Sequence, residues 1–195
     1  RAMLRDFIRY GVPVMLNETF WSLGTSLFTV IMGYMQNSTA ILAASTLTSN
    51  VERVISVIMF AAGNAAAVLI GKSIGEGGRE RAYDRAMTLN VMGLGIGLVN
   101  TALLLVTRFM LAQQVLYPMM DLSMDARVIA NFMLVMLAVV APLRALNTIN
   151  IVGVLRGGGD VKTGMYLDVL PMFLFSLPGS AIAALVFQSG IVWMY

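Results

Sequence analysis

The chain has 195 residues, of which 58% are hydrophobic and only 12% are charged, and its formal net charge is +3. Soluble domains carry about 25% charged residues, so this composition excludes an ordinary soluble domain and indicates an integral membrane protein. The sequence has no cysteine and no histidine, which excludes disulfides and thiolate or imidazole metal sites within the chain. The basic residues lie in loops between apolar runs, so membrane topology accounts for the positive charge better than a nucleic-acid partner does.

Five long apolar stretches follow one another at about residues 7–36, 40–71, 86–111, 126–155 and 165–187. A membrane-spanning helix needs about 20 predominantly apolar residues, and each stretch meets that length. A further stretch starts at Ile191 and stops at Tyr195. We therefore predict an all-α integral membrane protein, a bundle of five complete transmembrane helices plus the start of a sixth. Because the chain begins at Arg1 without an initiator methionine, we interpret residues 1–195 as a single helical unit from a longer chain.

Polar residues recur at helical spacing along the first two stretches and form two seams. The first seam consists of Glu18, Ser22, Thr25 and Thr29, and the second of Ser45, Ser49, Glu52 and Ser56. A charge in hydrocarbon costs at least about 2.5–3.5 kcal/mol, so an intramembrane carboxylate usually faces a protein interior or a water-filled path. The two polar seams therefore predict helices that line a cavity, as in a channel or a transporter.

Basic residues concentrate in alternate loops. They precede or open the first stretch, lie between the second and third, and lie between the fourth and fifth, whereas the other loops are poorer in positive charge. If all five helices span, every strongly basic loop falls on one side, which the positive-inside rule assigns to the cytoplasm together with the N-terminus. In the third stretch, Gly93 and Gly97 form a small-xxx-small face that predicts the close approach of another helix.

The fourth stretch contains a candidate partner for the buried acids. Arg144 and Asn147 share one helical face, with Ile151 one turn beyond, and Arg53 adjoins Glu52 in sequence. One interpretation is a fixed structural ion pair of Glu18 or Glu52 with Arg144 or Arg53. The other is that at least one acid takes up a proton and thereby frees its cation, which alters the packing of the protein. The sequence leaves both interpretations open.

A pair of short motifs resembles the active site of intramembrane aspartyl proteases. Those enzymes place a Tyr-Asp and a Gly-x-Gly-Asp on successive helices, and this chain offers Tyr83-Asp84 and Gly157-Gly158-Gly159-Asp160. However, both motifs lie beside basic residues in predicted loops, with two whole helices between them. Exposed aspartates beside cations stay ionised and do not share a proton. The protease is therefore the distant alternative function.

Motifs on three helices resemble those of one transporter family. The first stretch opens with Gly11-Val12-Pro13 and carries Asn17-Glu18 and Trp21, and the second ends in Gly71-Lys72-Ser73-Ile74-Gly75-Glu76-Gly77, running into Arg81-Ala82. The fourth ends in Gly153-Val154-Leu155-Arg156-Gly157-Gly158-Gly159-Asp160, followed by Leu167-Asp168. Across essentially its whole length the chain resembles the C-terminal lobe of the multidrug and toxic compound extrusion (MATE) family, in its bacterial branch.

This resemblance implies a twelve-helix, two-lobed antiporter in the inner (cytoplasmic) membrane, which expels organic, often cationic compounds against a proton or sodium gradient. The partners are then the lipid bilayer, small organic substrates and the missing N-terminal lobe, and no cofactor is implied beyond the coupling ion. The nearest alternative is a lipid-linked oligosaccharide flippase of the same superfamily. The candidate substrate-binding or ion-coupling residues are Asn17, Glu18, Trp21, Glu52, Arg144 and Asn147. The helix-turn signature is Arg156, Gly157, Gly158, Gly159 and Asp160, with Asp168, and Asp168 itself is expected at the start of its helix near the cytoplasmic face.

The sodium-coupled branch of the family uses a Glu on the first helix of this lobe and an Asp on the fourth. Glu18 is the candidate for the former, about one turn early in the alignment on Gly11-Val12-Pro13. The expected Asp falls near Ala145, with Arg144 beside it. This departure removes an anion and adds a neighbouring cation, so it favours proton coupling or coupling in the N-terminal lobe.

Overall fold

The computed structural model describes residues 2–186, and in this part of the chain every long element is a helix, as predicted. The predicted start of a sixth helix at residues 191–195 lies outside the described residues. Five long helices, α1 to α5, follow each other in an up-and-down order.

Short turns separate the five helices. Helix α1 is Ala2–Gly33 and α2 is Ser38–Gly75. Helix α3 joins Arg79–Val106, a π-helical segment Thr107–Leu116 and a last turn Tyr117–Met119. Helix α4 joins Met124–Thr148 and a π-helical segment Ile149–Arg156. Helix α5 runs through Val161–Pro171, Met172–Ser176, Leu177–Ala181 and Ile182–Val186, alternating between α- and π-helical geometry.

Four of these helices, α2 to α5, are long and apolar enough to cross a membrane. Helix α1 has 32 residues but is not among the four, because its polar seam lowers its hydropathy. The 38 residues of α2 rise about 57 Å at about 1.5 Å per residue, which exceeds the roughly 30 Å of hydrocarbon, so α2 tilts or projects beyond it. The fold is that of a multi-pass membrane protein.

The turns meet in pairs at opposite ends of the bundle. At one end, the Asn37 amide, between α1 and α2, donates a hydrogen bond to Asp125 at the start of α4, at 3.1 Å. At the other end, a Cβ on Gly71 would lie 3.2 Å from the carbonyl oxygen of Gly157, which places the two basic turns side by side. The basic loops therefore share one end of the molecule, as the alternation of charge predicts.

Helices α2, α3 and α4 form the main packed unit. The face that holds Gly93 and Gly97 lies against α4, where a Cβ on Gly97 would lie 2.5 Å from the Cα of Pro142. A side chain at this position would collide with backbone, which confirms the close approach that the glycine spacing predicts. Met133 and Leu134 of α4 are completely buried in the core between these helices.

Helix α1 packs mainly against α5 and contacts α2 less extensively. The contact to α5 includes Phe20 and Phe173, whose ring centres lie 6.0 Å apart in an edge-to-face arrangement. Because α1 and α5 pair with each other, a space opens between this pair and the α2–α4 wall. That space contains the candidate site.

Candidate functional site

A cleft of about 1500 Å³ lies between α1 and α5 on one side and α2 and α4 on the other. Its volume is larger than the roughly 300–1,000 Å³ typical of small-molecule pockets. Every member of the two polar seams lines it. The helical spacing in the sequence therefore correctly predicts two helices that face one common cavity.

The cleft combines charged, hydroxyl, aromatic and apolar side chains. The candidate residues Asn17, Glu18, Trp21, Glu52, Arg144, Asn147, Arg156 and Asp168 all line it. The charged groups are balanced, because the three carboxylates of Glu18, Glu52 and Asp168 face the three guanidinium groups of Arg53, Arg144 and Arg156. The described lining thus combines polar and apolar surface, and its charged side chains balance to no net charge.

Glu52 and Arg144 form an ion pair across the α2–α4 side of the cleft. The Glu52 side chain is 24% exposed and that of Arg144 is 38% exposed, so both retain access to the cleft. Of the two arginines that the sequence offers as partners, the structure pairs Glu52 with Arg144. Adjacent residues on a helix point about 100° apart, which explains why neighbouring Arg53 takes a different direction.

A second polar network joins α1, α4 and α5. Arg156 donates from its guanidinium to Glu18 at 3.1 Å and lies 3.8 Å from the carboxylate of Asp168. Asn17 donates its amide to the same Asp168 carboxylate at 3.2 Å. The Arg156 side chain is only 16% exposed. The network therefore ties three helices together at the wall of the cleft.

This network corrects two expectations. Glu18 pairs with Arg156 rather than with Arg144 or Arg53. Asp168 lies within α5, which begins at Val161, rather than at the start of the helix, and its carboxylate faces Arg156. Arg156 lies in the last turn of α4, and its side chain lines the cleft. Because Arg156 belongs to the helix-turn signature, the sequence did not indicate that it contacts Glu18.

The remaining signature residues build the turn between α4 and α5. Gly157 lies so close to α2 that a Cβ would be 2.6 Å from the Cα of Ala67, and Gly159 has φ +87, which favours glycine. The Asp160 side chain accepts a hydrogen bond from the backbone N–H of Thr163 at 3.3 Å and caps α5. Asp160 and Asp84 are both exposed, unlike the buried carboxylates that share a proton in aspartyl proteases.

The chain is similar in sequence to known membrane transport proteins. The MatE family profile matches residues 13–182, which is most of the chain. The chain belongs to the MatE family.

This MatE chain is also 25% identical over 175 residues to the uncharacterized transporter YisQ of Bacillus subtilis (strain 168), a match that covers 90% of this chain. The match covers 37% of YisQ, so the chain spans little more than a third of that relative's length. No solved structure matches the chain significantly. Family membership indicates a membrane transporter rather than an enzyme.

The MatE structure also reveals a residue that the sequence reasoning missed. Asn100 of α3 is 3% exposed, and its carbonyl oxygen has no hydrogen-bond partner among the described residues. The available signal was an amide within a long apolar run, since polar side chains inside membrane helices are costly and often functional. Within the described residues, no group of three or more His, Cys, Asp or Glu side chains converges on one point.

Proposed function

We propose that this MatE chain is the C-terminal lobe of a multidrug efflux transporter. The transporter exports organic, often cationic compounds across the cytoplasmic membrane in exchange for protons or sodium ions. The observation that carries the proposal is the cleft of about 1500 Å³, which is lined by both polar seams and contains the Glu52–Arg144 ion pair. A lipid-embedded bundle has no structural need for so large a polar surface, because buried polar groups cost free energy.

The cleft offers chemistry that suits varied organic cations. Trp21, Phe28 and Phe175 line it, and aromatic rings bind cations through their electron-rich faces. Met32 and Met59 also line it, and methionine side chains adapt to ligands of different shape. Promiscuous binding surfaces commonly combine such groups.

The Glu52–Arg144 ion pair provides a coupling step. A proton or a sodium ion on the Glu52 carboxylate neutralises the charge that holds Arg144. The released guanidinium then changes the charge that the cleft presents to a cationic substrate. Transporters of repeated architecture alternate access by rocking one half against the other around a central site, and the proposed second half is the N-terminal lobe. The basic end of the bundle faces the cytoplasm under the positive-inside rule.

A second function has its own supporting observation. Three arginines, Arg53, Arg144 and Arg156, line the same cleft. Guanidinium groups bind phosphate oxygens in bidentate fashion, which suits the diphosphate of a lipid-linked oligosaccharide. Two of the three are already paired with carboxylates, so efflux of organic cations is the leading proposal.

Reconstitution of the full-length protein in liposomes tests the proposal. We expect an imposed proton or sodium gradient to drive movement of ethidium, and ethidium to stimulate the counter-movement of that ion. Movement of a lipid-linked oligosaccharide between leaflets, with no coupled movement of ethidium, would favour the flippase instead.

A further inference from the structure

Two arginines lie at the end of the bundle that is poor in positive charge. Arg108 belongs to the π-helical segment of α3, Arg127 lies in the first turn of α4, and both residues are half-buried. Asp121 and Asp125 lie nearby in sequence, but among the described residues neither arginine forms an ion pair with a carboxylate. Because a charge is costly close to hydrocarbon, two unpaired cations here indicate an anionic partner from outside the described chain.

The Tyr117 hydroxyl group lies between these two arginines. Both guanidinium groups are close enough to act on it electrostatically. The Arg127 Nε donates a hydrogen bond to the Leu122 carbonyl oxygen at 2.9 Å, and the Leu122 N–H donates to the Tyr117 carbonyl oxygen at 3.2 Å. Tyr117 is 2% exposed, and its hydroxyl has no hydrogen-bond partner among the described residues. A guanidinium group can only donate, so this cluster of three donors lacks an acceptor.

The π-helical geometry of α3 brings Arg108 and Tyr117 to the same face. The two residues are nine positions apart, at the start and just beyond the end of the segment Thr107–Leu116. Because a π-helix forms i→i+5 hydrogen bonds, nine residues make about two of its turns but about two and a half turns of an α-helix. In a regular α-helix the two side chains would therefore point in opposite directions. Single π-helical turns are frequent at functional sites, which agrees with a binding role here.

Arg108 lies at about the depth of the lipid phosphate groups. The apolar stretch of α3 ends near residue 111, so Arg108 is about one helical turn inside the hydrocarbon boundary. From such a position an arginine stem can extend along apolar surface and place its guanidinium group in the headgroup layer. The neighbouring Phe109 and Met110 are both exposed, and the Arg108 guanidinium lies 4.7 Å from the centre of the Phe109 ring. Acyl chains can cover these apolar side chains beside the charge.

We propose that Arg108, Arg127 and Tyr117 bind the phosphate group of an anionic phospholipid in the leaflet at this end of the molecule. Phosphate oxygens supply the acceptor that the three donors lack, and arginine binds phosphate in bidentate fashion. An anionic headgroup also compensates the two unpaired positive charges. A lipid fits this place better than free phosphate does, because its acyl chains cover Phe109 and Met110. The site depends on the membrane-spanning fold and not on efflux.

Quenching of a local fluorophore tests this lipid site. In the full-length protein, with any other cysteines replaced, Met119→Cys carries a fluorophore on the exposed last turn of α3. The protein is reconstituted in phosphatidylcholine vesicles that contain a rising fraction of nitroxide-labelled phosphatidylglycerol or, for comparison, nitroxide-labelled phosphatidylcholine. We expect phosphatidylglycerol to reach half-maximal quenching at a fraction at least about fivefold lower, since each arginine near the membrane surface favours anionic lipid about fivefold. Equal quenching by the two lipids would overturn the site.

Substitutions on α3 locate the binding. Arg108→Gln should raise the half-maximal fraction of phosphatidylglycerol about fivefold. Arg81→Gln makes the same change of charge at an exposed position near the opposite end of this helix and should leave that fraction unchanged. If Arg108→Gln does not fold, Arg108→Lys serves in its place and should still raise the fraction, because lysine lacks the bidentate fork.

Three results would contradict the proposed lipid site. The first is an unchanged fraction in the Arg108 variants. The second is an equal loss in Arg81→Gln, which would show that only the net charge of the protein attracts the lipid. The third is relief of quenching by excess inorganic phosphate, the result expected if these donors hold a free anion instead of a lipid headgroup.

Discussion

Glu52 of α2 and Arg144 of α4 meet in an ion pair at the wall of the large polar cleft. The pair depends on the packing of α2 against α4, which brings these positions together across the bundle. Both side chains remain partly exposed, so the pair is accessible from the cleft that both residues line. We therefore propose this pair as the point at which the coupling ion and the substrate influence each other.

Removal of the Glu52 charge should uncouple efflux. In Glu52→Gln, neither a proton nor a sodium ion can exchange with Arg144, so we expect gradient-driven ethidium efflux to fall at least about tenfold, equivalent to about 1.4 kcal/mol. Efflux from liposomes that contain the full-length variant gives the measurement. Glu76→Gln is the matched control, because Glu76 pairs with Lys72 at 4.0 Å on the exposed turn after α2 and should leave efflux unchanged. Normal coupled efflux in Glu52→Gln would exclude this carboxylate from coupling.

The two acids that contact Arg156 should differ in their contribution to stability. The Asp168 side chain is 20% exposed and also accepts from Asn17, whereas that of Glu18 is 60% exposed. We expect Asp168→Asn to lower the free energy of unfolding by about 1–3 kcal/mol. Glu18→Gln should cost less than about 1 kcal/mol, because exposed ion pairs contribute little. Chemical denaturation in detergent measures both, and an equal or reversed order would contradict the network around Arg156.

The glycines of α3 should respond differently to the same substitution. In Gly97→Ala the new methyl group would meet the backbone at Pro142, so we expect destabilisation by about 1–3 kcal/mol. In Gly95→Ala the methyl group meets nothing within 4 Å, and the better helix propensity of alanine should leave stability unchanged or raise it by up to about 1 kcal/mol. Thermal unfolding of the two variants provides the measurement. If Gly97→Ala is tolerated as well as Gly95→Ala, α3 and α4 do not make the close backbone contact at Pro142.

The aromatic lining of the cleft should affect substrate affinity. In Trp21→Ala, loss of one ring against a cationic substrate should raise the half-saturating ethidium concentration about fivefold, from a cation–π contribution of about 1 kcal/mol. Phe7→Ala removes a ring from the same helix at an exposed position outside the described lining and should have little effect. Initial rates of efflux at several ethidium concentrations separate the two. Equal effects in both variants would argue that substrate does not contact Trp21.

Helix spacing made the faces of α1 and α2 predictable. The seam residues recur at three- and four-residue intervals, so any regular helix brings them to one side, and lipid cannot cover that side cheaply. The same reasoning explains why the sequence alone assigns Glu18 and Glu52 to the wall of a cavity. The ends of α3 were less predictable, because apolar composition marks contact with lipid and not the limits of helical hydrogen bonding. Helix α3 therefore begins at Arg79, seven residues before the apolar stretch at 86.

Partner choice across the bundle could not be derived from spacing. The sequence contains two candidate ion-pair partners for Glu52, which are Arg53 and Arg144. The packing of α2 against α4 brings Arg144 into contact with Glu52. Arg156 escaped notice as a partner of Glu18, because a residue that ends a helix before three glycines resembles a loop residue. The significance of Asn100 depends on which atoms surround its carbonyl oxygen, which the linear sequence does not contain.

Labelling of single cysteines tests most directly the central claim that the polar cleft is the aqueous route of the substrate. The chain itself contains no cysteine, so Ser49→Cys in α2 and Val139→Cys in α4 introduce unique thiols. Ser49 lines the cleft, whereas Val139 is exposed on the apolar surface outside it. In membranes that contain the full-length protein, with any other cysteines replaced, we expect a water-soluble maleimide to label Ser49→Cys and not Val139→Cys. Excess ethidium should slow the labelling of Ser49→Cys. An unreactive Ser49→Cys beside a labelled Val139→Cys, or labelling that ethidium leaves unchanged, would contradict the account.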